Sequence, residues 1–340
     1  MLQNRGSSKG QDGQKSRGRI SVLIPSYGHA AYIRQTIESI LGQTRPVDEI
    51  IVINDGSPDD TNSAVAPFLD KITYVEQENR GLIQTLNRGI AMCTGDYIAL
   101  SASDDWLAPD TIEVLAGIMD DHPDVGLVHG NMTVVDEQGN PSPYFNWHNW
   151  QRVAPYPIGK HRQTVALIQR NCIPGQANLC RREALLQAGP YPTHPFLQDW
   201  GMWLTIALNG WYLYGEPRSL AYYRRHGNNL SRPSMMEEAL LDIVDGMIEL
   251  ERKFTGHLSP EERLAFRATK HSTLRKLGWL YLAQRDRGLA QNIFWRLTRN
   301  SRDPRASIGL VATLLPLRLF EWLLKMRDTR LVFQFERLLS

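Results

Sequence analysis

The chain has 340 residues, 42% of them hydrophobic, enough to bury a large core and to fold as one large domain with an appendage or as two domains. Its three cysteines, Cys93, Cys172 and Cys180, lack CxxC spacing, which argues against a disulfide framework or a cysteine zinc site and fits a reducing cytoplasm. The net charge of +2 conceals a split: residues 1–230 hold 19 Lys/Arg against 23 Asp/Glu, whereas residues 263–340 hold 16 against 5.

A tail this basic favours an anionic partner, either a phospholipid surface or a phosphate-bearing acceptor. Nucleic acid fits less well, because no recognised binding motif accompanies the charge and the first part of the chain is acidic. Residues 1–18 are polar and rich in Gly, Ser, Gln and Lys/Arg, which reads as a disordered arm without the apolar core of a signal peptide. No run of about 18 uninterrupted apolar residues occurs, which argues against a membrane-spanning helix.

In chain order, Ile20 to Ile24 reads as a buried strand ended by Pro25, and Tyr32 to Leu41 has helical spacing at Ile33, Ile37, Ile40 and Leu41. Glu49 to Ile53 is the next strand, stopped by the turn cluster Asn54-Asp55-Gly56-Ser57. Ile72 to Val75 and Leu82 to Met92 repeat strand and helix, and Tyr97 to Leu100 is a further strand. Three right-handed β-α-β crossovers predict a parallel sheet with helices on both faces, with each turn cluster at the sheet edge where such folds bind ligands. No G-x-G-x-x-G follows the first strand and no G-x-x-x-x-G-K-[ST] is present, so dinucleotide and P-loop readings lose their support.

Leu100 runs directly into Ser101-Ala102-Ser103-Asp104-Asp105-Trp106, placing two carboxylates at a strand exit. Hard divalent cations such as Mg2+ or Mn2+ prefer such oxygens, although an Asp-Asp pair there also serves as a turn or helix N-cap. Thr111 to Met119 reads as a helix, and Val125 to Gly130 and Met132 to Asp136 as two strands around turns. Pro141 to Pro157 reads as a long loop, in which Trp147 and Trp150 either stack on a sugar or pack in the ordinary way. Beyond Met235 the pattern is helical over Glu237 to Phe254, Pro260 to Gln284 and Arg287 to Thr298. Gly309 to Met326 suits a membrane interface or a core-facing helix equally.

Several segments coincide in order: Ser21 to Tyr27, Ile51 to Ser57, Asn79-Arg80-Gly81 with Asn87-Arg88-Gly89, Gly95 to Ile98 leading to Asp104-Asp105, Gln198-Asp199-Trp200, and Tyr223 to Ser231. Together they resemble a non-processive family 2 glycosyltransferase of the GT-A fold, over residues 19–232. The resemblance implies an α/β nucleotide-diphospho-sugar transferase domain there, a helical basic region over 233–340, and inverting transfer of one sugar. A nucleoside-diphosphate sugar, with UDP favoured, is the implied donor. The implied acceptor is a glycan or lipid-linked hydroxyl, as in bacterial cell-surface polysaccharide or lipopolysaccharide assembly. Location would be cytoplasmic, at the inner face of the plasma membrane if the basic region makes peripheral contact with anionic lipid.

The same resemblance assigns roles. Pro25, Ser26 and Tyr27 would wall the base and ribose pocket, Tyr27 by stacking; Asp55 would accept a base N–H, or else cap a helix. Asn87 falls in the nucleotide-contacting set. Asp104 would hold ribose or donor-sugar hydroxyls and Asp105 would ligate Mg2+ or Mn2+, with His226 completing the metal site or touching the diphosphate. Asp199 would be the general base that takes the acceptor proton, its alternative being a helix cap.

Departures are also legible. Ala102 stands where the family usually begins Asp-x-Asp-Asp, Gln198 replaces the usual Glu, and Leu86 stands where Arg is frequent. No Gln-x-x-Arg-Trp occurs, so processive cellulose or hyaluronan synthases fit poorly. Rival readings are a nucleotidyltransferase, for which Pro25 to His29 lacks the Gly-rich basic loop, and a catalytically impaired sugar-nucleotide scaffold suggested by Ala102.

Overall fold

The structure, a computed structural model, describes residues 17–142, 160–227, 229, 233–301 and 304–315. The first half runs β1 (Ile20–Ser26), α1 (Ile33–Leu41), β2 (Glu49–Asn54), α2 (Thr61–Val65), β3 (Thr73–Glu76), α3 (Leu82–Met92), β4 (Tyr97–Leu100), β5 (Trp106–Leu107) and α4 (Thr111–Asp121). It continues through β6 (Val125–Val135), α5 (Lys160–Gln169), β7 (Asn178–Arg181), α6 (Arg182–Ala188), α7 (Gln198–Leu208) and β8 (Tyr212–Arg224). Helices α8 (Met236–Phe254), α9 (Pro260–Ala283), α10 (Arg287–Ser301) and α11 (Pro304–Leu314) close the described chain.

One eight-stranded sheet has the order β3-β2-β1-β4-β7-β6-β8-β5. Strand β1 is buried but for the half-buried Pro25, and apolar from Val22 to Pro25, because both its faces are covered. Ile20, Val22 and Ile24 join Ile33, Ile37 and Ile40 of α1 on one side, while Leu23 joins Leu86 and Ile90 of α3 on the other. Each such buried aliphatic side chain contributes about 1.5–3 kcal/mol. Gly89 lets α3 approach, since a Cβ there would lie 2.2 Å from a Leu23 methyl.

The chain leaves β1 for β2 on one side and reaches β4 on the other, both parallel to it. This reversal opens a crevice at the C-terminal ends of β1, β2 and β4, where α/β sheets seat ligands. The sheet is mixed and not parallel throughout: β7 runs antiparallel to both β4 and β6, and β5 antiparallel to β8. The two strands expected over 125–136 are one strand, β6, paired with β8 through register shifts around His129 and Asn131. Gly130 does not break it, because the position must be bare: a Cβ would sit 2.8 Å from Leu220.

Of the C-terminal helices, α8 and the start of α9 share the core of the sheet through Met247, Leu250, Phe254 and Phe266. The rest of α9 packs with α10 and α11 around Leu277, Leu282 and Phe294. Ser259 and Glu262 form a reciprocal capping box at the start of α9, with Pro260 at its first position. The helix expected over 309–326 is α11 as far as Leu314; its remainder, Trp147, Trp150 and residues 1–16 lie outside the described residues. Among the described residues no helix is long and apolar enough to cross a membrane.

Candidate active site

Asp55 follows β2 and donates its backbone N–H to Ser26 O at 2.9 Å, locking the ends of β1 and β2 together. Its buried carboxylate accepts from Arg80 N and Gln77 Nε2 through Oδ1, and from Gly81 N through Oδ2, at 2.7–2.9 Å. A carboxylate has about four acceptor positions, so one stays open to a ligand N–H. Gly56 permits this tight turn: it has φ +71, and a Cβ would stand 2.8 Å from Asn79 N. Asp55 thus organises the loop that starts α3, whose N-cap residue is Gly81.

Pro25, Ser26 and Tyr27 stand at the mouth of the same crevice. Tyr27 is 49% exposed, and the buried Ser26 hydroxyl has no hydrogen-bond partner among the described residues. Asn87 Oδ1 accepts the Tyr191 N–H at 2.8 Å, tying α3 to the segment that precedes α7.

Asp104 and Asp105 follow β4 and point to different neighbours. Asp104 Oδ2 lies 2.9 Å from His226 Nε2 and 3.9 Å from His29 Nε2. The three side chains each offer one ligand atom, all within 4.8 Å of one another. Ser103 Oγ holds His29 Nδ1 at 2.8 Å, leaving Nε2 toward Asp104. Burial lowers the pKa of His29 against the opposing pull of Asp104, with His226 lowering it further. Neutral imidazole is the form that ligates a metal.

Asp105, expected as the metal ligand, is outside this group. Its Oδ1 accepts the Arg224 N–H at 2.8 Å, and the Gln176 side chain also approaches its carboxyl. Burial, and then the charge of Asp104, push its carboxyl well above the usual range. The reason is topological: the turn after β4 sends Asp104 to His226, beyond the end of β8, and Asp105 to the backbone of Arg224, its last residue.

Arg224, at the end of β8, is the staple of this region. Its Nε donates to Asp104 O, Nη1 to Glu137 O and Nη2 to Gln35 Oε1, while its guanidinium lies between the rings of Tyr32 (4.8 Å) and Trp106 (4.7 Å). His226 follows two residues later, its ring tilted against that of Tyr32 at 5.1 Å between centroids.

Asp199 lies in the first turn of α7. A helix N-terminus favours a carboxylate, but here burial wins and pushes its carboxyl up to about 6. It keeps partial solvent contact and has uncharged company in the Cys180 thiol and the Tyr191 hydroxyl, whose pKa values are raised by burial first and then by the Asp199 charge. Gly175 makes room for it, since a Cβ there would lie 2.5 Å from Oδ2. The next residue, Gln176, reaches the Asp105 carboxyl, and Ala177 takes φ +37. The segment Gly175-Gln176-Ala177 therefore runs between the two acidic centres. A non-glycine residue in that conformation is strained, a feature found at ligand sites.

Reading the residues alone missed His29 and Arg224. Both belong to quoted or adjoining motifs, but neither spacing nor residue type reveals that Ser103 turns His29 or that Arg224 is buried.

The description "Glycosyl transferase family 2" matches residues 21–187. A glycosyltransferase of Rickettsia felis is 31% identical over 192 residues, covering 55% of this chain and 31% of that protein. The amylovoran biosynthesis glycosyltransferase AmsE of Erwinia amylovora is 27% identical over 192 residues, covering 55% and 68%. The chain thus spans about a third of the length of the first of these relatives. Among solved structures, the mannosyltransferase PcManGT of Pyrobaculum calidifontis, in complex with GDP-Man and Mn2+, superposes with TM-score 0.60 at 20% identity, over 92% of this chain and 85% of that one. S. aureus TarS 1-349 in complex with UDP-GlcNAc gives TM-score 0.54 at 15% identity, over 87% and 90%. These likenesses show a shared fold, that of GT-A glycosyltransferases. Residues 21–187 are thus a glycosyl transferase family 2 segment.

Proposed function

We propose that the chain transfers one sugar, with inversion, from a nucleoside-diphosphate sugar to a hydroxyl of a glycan or lipid-linked acceptor. UDP is the favoured nucleotide and bacterial cell-surface polysaccharide or lipopolysaccharide assembly the favoured setting. The observation that carries the reading is the group His29, Asp104 and His226 at the crevice beyond β1 and β4. Relatives named for glycosyl transfer, one of them for amylovoran biosynthesis, support it.

The donor set fits a divalent ion: one carboxylate and two imidazoles, one of them held by Ser103 with its second nitrogen turned toward Asp104. Two nitrogen ligands suit Mn2+ better than Mg2+, which demands oxygen. A bound cation would neutralise charge gathering on the departing diphosphate. The protein does the rest. Asp55 and the wall of Pro25, Ser26 and Tyr27 would orient the base and ribose. Asp199, ionised above about pH 6, would accept the acceptor proton as the hydroxyl attacks the face opposite the diphosphate.

The described part of the basic region supports peripheral contact with anionic lipid. Ile308, Val311 and Leu314 of α11 are 59–69% exposed and form one stripe at helical spacing. Trp295 of α10 is exposed too, with Arg299 over its ring at 4.9 Å. Apolar stripe and basic surroundings together match an interfacial helix pair.

Titration with UDP, GDP and dTDP sugars, with and without Mn2+, tests the central claim. Tight binding of one of them that depends on Mn2+ is expected; binding of none would end the reading.

A further inference from the structure

Three elements remote in sequence each lend one side chain to the group at the crevice: His29 before α1, Asp104 after β4 and His226 after β8. The turn after β4 offers a cation less than its two adjacent acids suggest. Ala102 carries no donor, and Asp105 is engaged by the Arg224 N–H and the Gln176 side chain. Asp104 is the carboxylate this turn sends to the group, and the imidazoles of His29 and His226 make up the remainder.

The backbone around His29 is fixed by the fold itself. Gly28 N donates to Ser57 Oγ at 3.1 Å and Ala30 N to Asp59 Oδ2 at 2.9 Å, while His29 O accepts the N–H groups of Tyr32 and Ile33, both at 3.0 Å. Thr36 Oγ1 of α1 lies 3.0 Å from Ser103 O and 2.7 Å from Asp105 O, so its hydroxyl ties that helix to the turn bearing Asp104. Ser103 Oγ stands 2.8 Å from His29 Nδ1. With the Nδ1 proton given to that hydroxyl, the lone pair sits on Nε2, 3.9 Å from Asp104 Oδ2. Such a separation is too long for a hydrogen bond but suits two ligands of one ion, each about 2.0–2.2 Å from it.

We propose that His29, Asp104 and His226 hold a first-row transition cation by themselves, so that the protein carries its metal before any nucleotide sugar arrives. The inference rests on the reading of this group as the metal site of the transferase and adds how that site is filled. Two imidazoles and a carboxylate are the set with which oxygenases retain iron(II) while leaving positions open. A single carboxylate would wait for diphosphate oxygens to complete its shell; three ligands on a fixed backbone bind with little left to order. Affinity should rise in the order Mn2+, Co2+, Zn2+, and Mg2+, which prefers oxygen and keeps its waters, should bind far more weakly. Ser103 is a positioning residue that acts through His29.

The test uses the full chain, stripped with chelator and free of nucleotide, titrated with MnCl2 while the EPR signal of free Mn2+ is followed. One equivalent should bind without UDP or GDP, and competition should rank the ions as above. Pulsed EPR of the bound Mn2+ should show coupling to two imidazole nitrogens, falling to one in His29→Ala, with affinity lower by about tenfold or more. Ser103→Ala should weaken binding by about 10–100-fold, and Ser103→Thr, which keeps the hydroxyl, should restore both affinity and the two-imidazole signature. Coupling to a single imidazole in the parent overturns the inference whether or not His29→Ala folds, as does a signature that His29→Ala leaves unchanged. Mn2+ that binds only once UDP or GDP is added also overturns it, yet leaves the proposed transfer standing. Conversely, resident Mn2+ in a protein that binds no nucleotide sugar would end the transfer reading alone, so the two failures are distinguishable.

Discussion

Asp104 Oδ2 and His226 Nε2 meet at 2.9 Å although 122 positions separate them. The contact joins the turn after β4 to the end of β8, and it moves the metal-binding expectation from Asp105 to Asp104. Asp104→Asn and His226→Ala should each weaken Mn2+-dependent nucleotide-sugar binding by about tenfold or more, whereas the isosteric Asp105→Asn should leave the Mn2+ titration nearly unchanged. Calorimetric titration of the three variants separates the assignments; loss of the Mn2+ dependence in Asp105→Asn alone would reverse them.

Asp199 links activity to pH. Its folded pKa of about 6 lies above the ordinary 3.8, so the folded state holds the proton more tightly and stability falls as pH rises from below 4 to above 6. Activity moves oppositely, because the base must be ionised: transfer should drop about tenfold per pH unit below 6. Asn at this position removes both effects. Asp199→Asn should melt higher than the parent at pH 8, with the gap closing below pH 4, and should transfer sugar about 10²–10⁴-fold more slowly. Thermal scans and a pH–rate profile decide it.

Arg224 is a second target. Replacing it with Ala strands the carbonyls of Asp104 and Glu137 and opens a gap between Tyr32 and Trp106. A loss of about 3–5 kcal/mol in denaturant unfolding is expected. Lys should not rescue it, since an ammonium cannot reproduce the flat fork between two rings.

The loop before α7 is clamped by His194, whose Nδ1 lies 2.9 Å from Asp242 and Nε2 3.0 Å from Glu249 of α8. Burial opposes the charged ring, but the two carboxylates outweigh it and raise its pKa. A raised histidine pKa stabilises the fold fully below about 6.5 and loses that contribution as pH climbs through the folded value. Hydrogen exchange of residues 194–200 should therefore quicken from pH 6 to pH 8. In His194→Gln the rate, corrected for intrinsic chemistry, should be flat.

The apolar stripe of α11 has its own test. The pair Ile308→Glu and Val311→Glu changes side chains that are 65% and 59% exposed, so folding should persist within about 0.5 kcal/mol. Co-sedimentation with phosphatidylglycerol vesicles should fall severalfold; undiminished pelleting would remove this face from the account.

Much of this protein is local and periodic, and that portion is determined by the order of residues alone. Apolar runs such as Ile20 to Ile24 and the spacing Ile33, Ile37, Ile40 specify strand and helix because burial on both sheet faces, or on one helix face, demands those patterns. The turn residues Asn54 to Ser57 and the capping box at Ser259 likewise act within a few positions. Hence the order β1 to β4 and the helices after Met235 are readable, as is the family through its ordered motifs. Tertiary structure alone decided the rest. A mixed pairing such as β7 against β4 depends on contacts between residues as distant in sequence as Tyr97 and Arg181, and the single strand β6 depends on Gly130 meeting Leu220. Which of two adjacent aspartates meets a histidine depends on how one turn is pinned by Arg224, a guanidinium whose burial no spacing rule registers. The elevated Asp199 pKa is of the same kind: an acid at a helix start is ordinarily favoured by the dipole, and only the packing around it makes burial the larger effect.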